Sequence, residues 1–478
     1  MGPPTRNRAE RKPVIRPDCA PARVPSTRAG ARPATTPVDH VRRLAVWALI
    51  IPALCLMVAW PAGAAVEIQW WHAMTGELGR QVEKLATDFN ASQPDYKVVA
   101  VYKGSYTETM TAAIFALRSR LNPAIVQVNE VATATMMAAK GAVYPVFELM
   151  RDSGEPFDPS AYLPAVAGYY TDSGGNMLSF PFNASTPILY YNKDQFRIAG
   201  LDADKPPKTW SELDVAAQKL RAAGVPCGVT THWPSWINIE NFSAYHNVPI
   251  ATGQNGFGGL DTELVINNPV VVKHIAALAE WQKSKAFDYG GRGDRAEPKF
   301  YFGECGIFIG SSASRADILA NANFEVGYGL LPYWSAVPGA PQNSIIGGAT
   351  LWVLKGRPEA EYKGVAKFFA YLSRPGVQAE WHQATGYLPI TLASYELTRS
   401  QGYYDRNPGT DISIRQLTLN PPTENSKGLR LGSFVLIRDV IEEELELAFA
   451  GKKSAKEALD DAVTRGNALL RRFASANR

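Results

Sequence analysis

The stretch 181–194, PFNASTPILYYNKD, decides the architecture that we predict for this chain. Pro181 and Pro187 fix their own φ angles and favour an extended residue before them, so the segment between them should be extended. The next residues, 188–191, have the composition of a buried strand. A rigid extended segment that feeds a strand fits an ordinary sheet strand, and it also fits a crossover between two lobes in which Ser185 faces the gap.

Strand-like and helix-like segments alternate on both sides of this stretch. Before it, hydrophobic periodicity predicts the strands 66–71, 96–102 and 124–128 and the helices 76–91, 110–117 and 131–140. After it, we predict the strands 306–309, 326–331 and 345–353 and the helices 209–224, 270–285, 360–373, 375–384, 435–450 and 454–473. Capping boxes at 209–212 (TWSE) and 454–457 (SAKE) begin two of these helices. An alternation of this kind is typical of parallel sheets with helices on both faces.

The sequence therefore predicts an α/β chain with two lobes. Its 478 residues exceed what one hydrophobic core normally holds. We place crossovers near residues 184, 333 and 373, which assigns 66–183 and 334–372 to lobe 1, and 184–333 and 373–478 to lobe 2. Ligands of open α/β sheets bind beyond the carboxyl ends of strands, so the two lobes should face each other across a cleft that can close.

Residues 1–65 have the features of a leader that includes a secretory signal peptide. Two arginines precede the apolar run 44–60, and small residues follow it. A membrane anchor is the alternative, but the run is short and contains Pro52. The leader holds 10 of the 49 basic and 3 of the 45 acidic residues, so 66–478 carries a net charge of −3 and gives no indication of nucleic-acid binding.

Cys227 and Cys305 are the two cysteines that remain after the leader. Both precede strand-like runs, CGVTT and CGIFIG, which suggests neighbouring strands. In an exported protein such a pair either forms a disulfide or stays as two buried thiols, and the sequence leaves both open.

No catalytic signature is found in the sequence. A phosphate-binding loop would need glycine at position 446, where glutamate stands, and neither HExxH nor G-x-S-x-G occurs. The six histidines are scattered along the chain. We therefore expect no catalytic residue, no metal site and no cofactor.

Polar and aromatic residues instead stand at predicted strand ends and in loops. Glu130, Ser311 and Tyr106 each follow a predicted strand. Gly348, in a glycine pair, would let backbone N–H groups approach a ligand closely. Arg438 lies in an apolar helical segment and needs an anionic partner. Each residue also has a purely structural explanation, as a helix-terminal charge, a core side chain or a salt bridge.

At these residues the chain resembles the extracellular solute-binding proteins of bacterial ABC importers, the family that includes maltose-binding protein. Within that family it is most similar to the branch that binds sn-glycerol 3-phosphate. The segments that carry the resemblance are WWHAMTGELG (70–79), PDYKVVAVYKGSY (94–106), VNEVATATMMAAKGAVYPV (128–146), FNASTPILYYNKD (182–194), WPSWINIENFSAY (233–245), FGECGIFIGSSAS (302–314), PQNSIIGGATLWV (341–353), EWHQATGYLPIT (380–391) and KGLRLG (427–432). The resemblance implies the type II periplasmic-binding-protein fold, two α/β lobes that close on a hinge like a Venus flytrap.

The ligand residues of this branch fall on nine positions of the chain: Tyr106, Glu130, Ser185, Trp233, Trp236, Ser311, Gly348, Tyr387 and Arg438. Residue chemistry agrees with that assignment, because Arg438 can hold two phosphate oxygens and Glu130 can accept hydrogen bonds from glycerol hydroxyls. The two tryptophans, which we place in a loop after the segment that begins at Val229, would cover the carbon face of the ligand. Asn129 and His232 depart from the pattern of the branch, which leaves the finer ligand preference open.

The resemblance also implies partners and a place of action. It describes a periplasmic receptor, monomeric when free, that captures sn-glycerol 3-phosphate or a glycerophosphodiester such as glycerophosphocholine. The receptor would deliver this ligand to two membrane permease subunits with an ATP-binding subunit. An oligosaccharide receptor and a secreted phosphoesterase are the alternatives. A neutral sugar would leave Arg438 unmatched, and the phosphoesterase would need a metal-ligand cluster that the sequence does not suggest.

Overall fold

The computed structural model describes residues 64–139 and 141–478. Residues 1–63 of the predicted leader lie outside the described residues, and so does the predicted signal peptide. None of the helices in the described part of the chain combines the length and the apolar composition that crossing a bilayer requires.

The strands of the described residues form two sheets. The strands are Val66–His72 (β1), Tyr96–Tyr102 (β2), Ile125–Asn129 (β3), Val143–Tyr144 (β4), Phe180–Ser185 (β5), Pro187–Asn192 (β6), Cys227–Thr231 (β7), Cys305–Ser311 (β8), Val326–Gly329 (β9) and Gly347–Leu354 (β10). The first sheet has the order β2-β1-β3-β10-β4, with β5 also paired to β10, and the second has the order β7-β8-β6-β9. Every predicted strand is confirmed within a few residues.

Helices cover these sheets. In the first half of the described chain they are Gly76–Ser92 (α1), Tyr106–Arg118 (α2), Thr133–Ala138 (α3), Val146–Asp152 (α4), Pro164–Tyr170 (α5), Lys193–Ile198 (α6), Trp210–Ala222 (α7), Phe242–Tyr245 (α8) and Thr252–Asn255 (α9). In the second half they are Pro269–Ser284 (α10), Glu297–Tyr301 (α11), Arg315–Asn321 (α12), Glu359–Leu372 (α13), Pro375–Thr385 (α14), Leu392–Ser400 (α15), Tyr403–Arg406 (α16), Ile412–Leu417 (α17), Phe434–Phe449 (α18) and Ala455–Asn477 (α19).

Helix caps explain where several of these helices begin. The predicted capping boxes of α7 and α19 are both formed, by Thr209 with Glu212 and by Ser454 with Glu457. A third box at Ser105 starts α2 at Tyr106, four residues before the predicted start. The predicted helix 131–140 is shorter, since a 3₁₀ turn precedes α3 and α3 ends at Ala138.

The prediction of parallel sheets is correct for only part of each sheet. Strands β1, β2 and β3 are parallel, but β10 runs antiparallel to β3, β4 and β5. In the second sheet, β6 is antiparallel to both β8 and β9. The reason is connectivity: β10 and β6 each enter their sheet from the other side of the molecule rather than through a strand–helix–strand unit, so the right-handed parallel crossover does not apply to them.

Within the stretch 181–194 a single residue separates a strand of the first sheet from a strand of the second. Strand β5 pairs with β10 in the first sheet, β6 pairs with β8 and β9 in the second, and Thr186 stands between them. Thr186 is fully buried, and its carbonyl accepts a hydrogen bond from the Ser312 N–H. This segment is therefore a crossover between two sheets. The lobe boundaries near 333 and 373 stay a prediction.

Parallel neighbours in the second sheet carry the two cysteines. Cys227 in β7 lies directly opposite Cys305 in β8. The two sulfur atoms form a disulfide that closes a sequence separation of 78 residues. Of the two alternatives that the sequence left open, the structure contains the bonded one.

Candidate functional site

One cavity of about 410 Å³ lies between the carboxyl-end regions of the two sheets. Its walls come from chain segments that are distant in sequence. All nine predicted ligand residues line it: Tyr106, Glu130, Ser185, Trp233, Trp236, Ser311, Gly348, Tyr387 and Arg438. Its volume is in the range of small-molecule sites. The structure thus brings the whole predicted set together.

Tyr106 is held by a chain of amide side chains. The Gln127 Nε2 donates to Asn183 Oδ1 at 2.9 Å, and the Asn183 Nδ2 donates to the Tyr106 hydroxyl at 3.4 Å. Gln127 and Asn183 are both fully buried in the first sheet. Burial raises the pKa of Tyr106 to about 12, so its hydroxyl stays protonated and can donate a hydrogen bond into the cavity.

Two glycines at the start of β10 allow neighbouring groups to pack closely on the strand where it lines the cavity. Gly348 has φ +105°, and a Cβ there would lie 2.1 Å from the Asn183 carbonyl oxygen, so only glycine fits. A Cβ at Gly347 would lie 2.4 Å from the Trp236 ring. The pair therefore allows the indole of Trp236 to pack directly on the backbone of β10.

The two tryptophans enter from the turn that follows β7. Trp233 has φ +42°, an unusual angle for an aromatic residue, and its N–H donates to the Gly293 carbonyl at 2.7 Å. Its ring lies 6.4 Å from the ring of Tyr106, centroid to centroid. Trp236 is 5% exposed and begins a π-helical turn, so the prediction that it lies in a loop is wrong.

That π-helical turn, Trp236–Asn241, also places a residue that the sequence did not point to. The Ser235 hydroxyl donates to Glu240 Oε1 at 3.0 Å, and the Asn241 amide donates to the Trp236 carbonyl at 3.2 Å. Both contacts join residues five positions apart, the spacing of the backbone hydrogen bonds in a π-helix. Single π-helical turns are frequent at functional sites. Glu240 is completely buried as a result.

Arg438 bridges two buried carboxylates at the cavity wall. Its Nε and Nη2 donate to the two oxygens of Glu240 at 2.8 and 2.7 Å. Its Nη2 also donates to Glu130 Oε1 at 2.6 Å. Glu130 follows β3 of the first sheet, whereas Glu240 follows β7 of the second, so α18 connects both sides of the cavity through one guanidinium. We name Glu130, Arg438 and Glu240 the buried triad.

The buried triad corrects one part of the sequence interpretation. The anionic partner that a buried arginine needs is supplied by the protein itself, from two carboxylates. Burial would lower the pKa of Arg438, but Glu240 and Glu130 raise it above its ordinary value, so the group stays charged. Burial raises the pKa of Glu130, against the opposing effect of Arg438. The additional role of Arg438 in holding a phosphate stays a prediction.

A histidine and a buried glutamate line the opposite side of the cavity. The Ser311 N–H donates to His232 Nε2 at 2.6 Å, and burial lowers the pKa of His232 to about 3, so the imidazole is neutral. The Ser314 hydroxyl donates to Glu297 Oε2 at 2.7 Å. Burial raises the pKa of Glu297 to about 8, so this carboxyl is largely protonated at neutral pH.

Tyr387 completes the wall beside α14. Its ring stacks on Trp381 with an interplanar angle of 3° and a centroid distance of 5.8 Å. Its hydroxyl lies 3.7 Å from the sulfur of Met74. Burial raises the pKa of Tyr387 well above its ordinary value, so it is a second neutral hydroxyl donor in the cavity.

Sequence reasoning missed Glu240, Glu297 and the amide pair Gln127 and Asn183. Gln127 lies inside a predicted buried strand, where a polar side chain without an evident partner is a usable signal. Glu240 is the one charged residue in the segment 236–245, which is rich in aromatic and aliphatic residues, and it gives the same signal. In the part of the chain that the structure describes, no group of three or more His, Cys, Asp or Glu side chains is arranged to hold a metal ion.

A family profile and individual relatives both relate this chain to bacterial solute-binding proteins. The family profile described as bacterial extracellular solute-binding protein matches residues 84–408. The sn-glycerol-3-phosphate-binding periplasmic protein UgpB of Salmonella typhimurium is 53% identical over 427 residues, covering 89% of this chain and 97% of that protein. The protein of the same name from Yersinia enterocolitica is 53% identical over 430 residues, covering 90% of this chain and 98% of that protein.

Solved structures share the fold. UgpB from Mycobacterium tuberculosis, in complex with glycerophosphocholine, superposes with a TM-score of 0.70 at 22% identity, covering 85% of this chain and 99% of that chain. Maltose-bound MalE3 from T. maritima superposes with a TM-score of 0.70 at 17% identity, covering 85% of this chain and 100% of that chain. At these identities the likeness concerns the two-lobe α/β fold alone.

Proposed function

The chain belongs to the family of bacterial extracellular solute-binding proteins, and from that premise we propose that it is the receptor of an ABC importer for sn-glycerol 3-phosphate. A glycerophosphodiester such as glycerophosphocholine is the second ligand that we propose for the same site. The observation that carries the proposal is the convergence of nine predicted ligand residues on one cavity, in a chain 53% identical to proteins named for binding sn-glycerol 3-phosphate.

The phosphate group would lie against neutral donors and the free edge of Arg438. Tyr106 and Tyr387 each present a protonated hydroxyl, and Ser311 adds its own. The Nη1 of Arg438 donates to no side chain among the described residues, so it can donate to a phosphate oxygen. Hydrogen bonds between charged partners are about twice as strong as neutral ones, which favours this placement.

The glycerol group would lie between Glu130 and the tryptophans. Only Oε1 of Glu130 accepts from Arg438, so Oε2 can accept from the glycerol hydroxyls. The indoles of Trp233 and Trp236 offer a flat apolar wall for the carbon chain. Ser185, at the crossover between the sheets, adds a hydroxyl at the base of the cavity.

Capture would be followed by closure and delivery. Because the cavity walls come from both sheets, bound ligand contacts both sides and should favour the closed arrangement of the lobes. We propose that the closed receptor, a monomer in the periplasm, docks on a permease of two membrane subunits powered by an ATP-binding subunit. The names of the relatives, periplasmic binding proteins, support this place of action.

An oligosaccharide receptor is the second candidate, and one observation keeps it in consideration. Glu130 and Glu240 pair Arg438 without any ligand, so a neutral sugar would not leave the guanidinium unmatched. A direct binding experiment decides between the two ligand classes.

We would titrate the protein in a calorimeter with sn-glycerol 3-phosphate, glycerophosphocholine and maltose side by side. The proposal expects heat and saturation with the phosphate esters and none with maltose. Saturation with maltose alone would replace the proposed function with the oligosaccharide receptor. Incubation with each ester, followed by an assay for free phosphate and free alcohol, tests the secreted phosphoesterase, and the proposal expects no product.

A further inference from the structure

The buried triad holds one negative charge more than it can neutralise. Glu130 and Glu240 are 3% and 0% exposed, Arg438 is 8% exposed, and the three side chains are joined by hydrogen bonds of 2.6 to 2.8 Å. Two carboxylates and one guanidinium carry a formal charge of −1 at a site with little access to water, and because burial raises the pKa of Glu130, that carboxylate is the one that takes up a proton most readily. An uncompensated buried charge is costly, so this excess matters for any anion that enters.

The rest of the cavity does not offset that excess. Among the described residues that line it, Arg295 is the one other cation, and it stands with the acids Asp294 and Asp317. Glu297 is largely protonated at neutral pH because burial raises its pKa to about 8. His232 is neutral. A phosphate monoester, which carries about two negative charges above pH 6, therefore meets a cavity that is already acidic.

Other titratable groups lie near the triad on α18 and on the elements packed against it, and Asp439, next to Arg438, is a further acid whose pKa burial raises. Glu442 lies one turn further along α18, and its pKa is raised to about 7 by burial. Arg292 approaches Glu442 at 4.0 Å from the loop before α11. Tyr169 and Tyr170 of α5 feel the charges of the triad and stay protonated, since burial raises their pKa values well above the ordinary range. Arg292 is the one cation among these groups, and it is paired with Glu446 at 2.6 Å, so none of them adds an unpaired positive charge beside the phosphate.

We propose that Glu240 sets the charge that the site accepts, so that a dianionic phosphate monoester binds only together with one proton. The inference rests on the proposed function. Glu240 accepts hydrogen bonds from two nitrogens of Arg438 and is the second carboxylate of the triad, the one that exceeds the single positive charge. It does not contact the ligand itself, so it acts through Arg438 as a positioning residue. A phosphodiester carries a single charge with no second ionisation in this range, and it binds without a proton.

The proton balance is simple. Either the singly protonated monoester is selected from solution, or the dianion binds and a neighbouring carboxylate takes up the proton. In both cases the number of protons that leave the buffer for each monoester bound rises from about one half at pH 6 to close to one at pH 7.5, and none leaves it for each diester. Linkage then requires the affinity for the monoester to fall as pH rises, while that for the diester stays level.

Proton uptake is measured directly by calorimetry of the full chain in buffers of different ionisation enthalpy. We expect close to one proton per sn-glycerol 3-phosphate at pH 7.5 and none per glycerophosphocholine. Between pH 6.5 and 8.0 the affinity for the monoester should fall roughly 20-fold, because the singly charged fraction falls by that factor for a second pKa near 6. The affinity for the diester should change less than twofold.

Glu240→Gln tests the residue itself. It removes the excess carboxylate and keeps a side chain of the same length, so proton uptake should drop well below one and the pH dependence should flatten. Glu240→Asp keeps the charge and should keep the slope. Glu444→Gln is the matched control, because Glu444 is a buried carboxylate on the same helix that pairs with Lys453 and Arg465 away from the cavity. Its profile should be that of the wild type.

Each outcome is decisive. Binding of both esters without proton uptake overturns this inference and leaves the proposed function intact, whereas binding of neither ester overturns the proposed function. A Glu240→Gln profile as steep as the wild type overturns the role of Glu240. If that variant does not fold, the wild-type buffer series still decides, since absence of uptake with the monoester refutes the charge argument.

Discussion

Replacing Arg438 with alanine should destabilise the ligand-free protein, and the loss should depend on pH. The change removes three charge-assisted hydrogen bonds and leaves Glu130 and Glu240 buried without a cation. Removing one partner of a buried ion pair typically costs about 3–5 kcal/mol of unfolding free energy. We expect a loss of that size at pH 7.5.

The loss depends on pH because a buried carboxylate that has lost its cation takes up a proton. From an ordinary pKa of 4.5, neutralising one glutamate costs about 4 kcal/mol at pH 7.5 and about 1.4 kcal/mol at pH 5.5, at 1.36 kcal/mol per unit. In the variant the folded state binds protons that the unfolded state has released, so stability falls as pH rises from 4.5. The destabilisation should therefore shrink by up to about 2.7 kcal/mol per carboxylate between pH 7.5 and 5.5.

Urea unfolding of the ligand-free protein at the two pH values measures this loss, with Arg465→Ala as the control. Arg465 also bonds two carboxylates, but its side chain is 43% exposed and Lys453 still pairs with the buried Glu444, so its removal should cost much less than the removal of Arg438. The triple variant Arg438→Met, Glu130→Gln, Glu240→Gln removes all three charges and should recover most of the lost stability.

Affinity is the second readout of the same variants. Arg438→Ala should weaken binding of sn-glycerol 3-phosphate by about 2–5 kcal/mol, with partial recovery in Arg438→Lys, which offers one point charge. The triple variant should fold and not bind. A pH-independent loss of stability in Arg438→Ala would refute the charge argument, and wild-type affinity would refute the phosphate role of Arg438.

Three further predictions rest on single features. Trp233→Ala should weaken binding by on the order of 1–3 kcal/mol in calorimetry, because it removes the apolar cover of the ligand; wild-type affinity would place the ring outside the site. Glu297→Gln should match the wild type in melting temperature near pH 4.5 and exceed it by a margin that grows up to about pH 8, since the folded-state pKa of about 8 makes wild-type stability fall as pH rises from 4.5 to 8; parallel melting curves would contradict this. Replacing Cys227 and Cys305 by serine opens a 78-residue loop and should lower the unfolding free energy in urea by up to about 4.5 kcal/mol, while calorimetric affinity stays within twofold; an unchanged unfolding midpoint would contradict it.

Most of the secondary structure was predictable because its signals are local. Periodicity and capping boxes locate α7 and α19 to within a few residues, and the extended stretch 181–194 is the place where the chain passes from the first sheet to the second. The antiparallel entry of β10 was not predictable, because strand direction is decided by how the chain returns across the molecule. The sequence contains β10 as a strand and carries no sign of its direction.

In the candidate site, too, the features with a local sequence signal were predictable and those decided by distant contacts were not. The nine lining residues followed from motifs, whereas the partners of Arg438 did not, because Glu240 reaches it through a π-turn that adds one residue to a helical repeat. The shift of Trp236 from loop to helix has the same cause. The raised pKa of Glu297 comes from burial by distant segments, which no local pattern reports.

The position of β10 bears on the order in which the chain can fold. This strand, Gly347–Leu354, is the centre of the first sheet, where it holds β3, β4 and β5 together, yet all of the second sheet lies between β3 and β10 in the chain. A nascent chain that has not reached residue 354 keeps the edges of β3 and β5 open, and its first half has no finished core. The first sheet can therefore be completed only after residue 354 is available, so its folding has to wait until every strand of the second sheet has been synthesised.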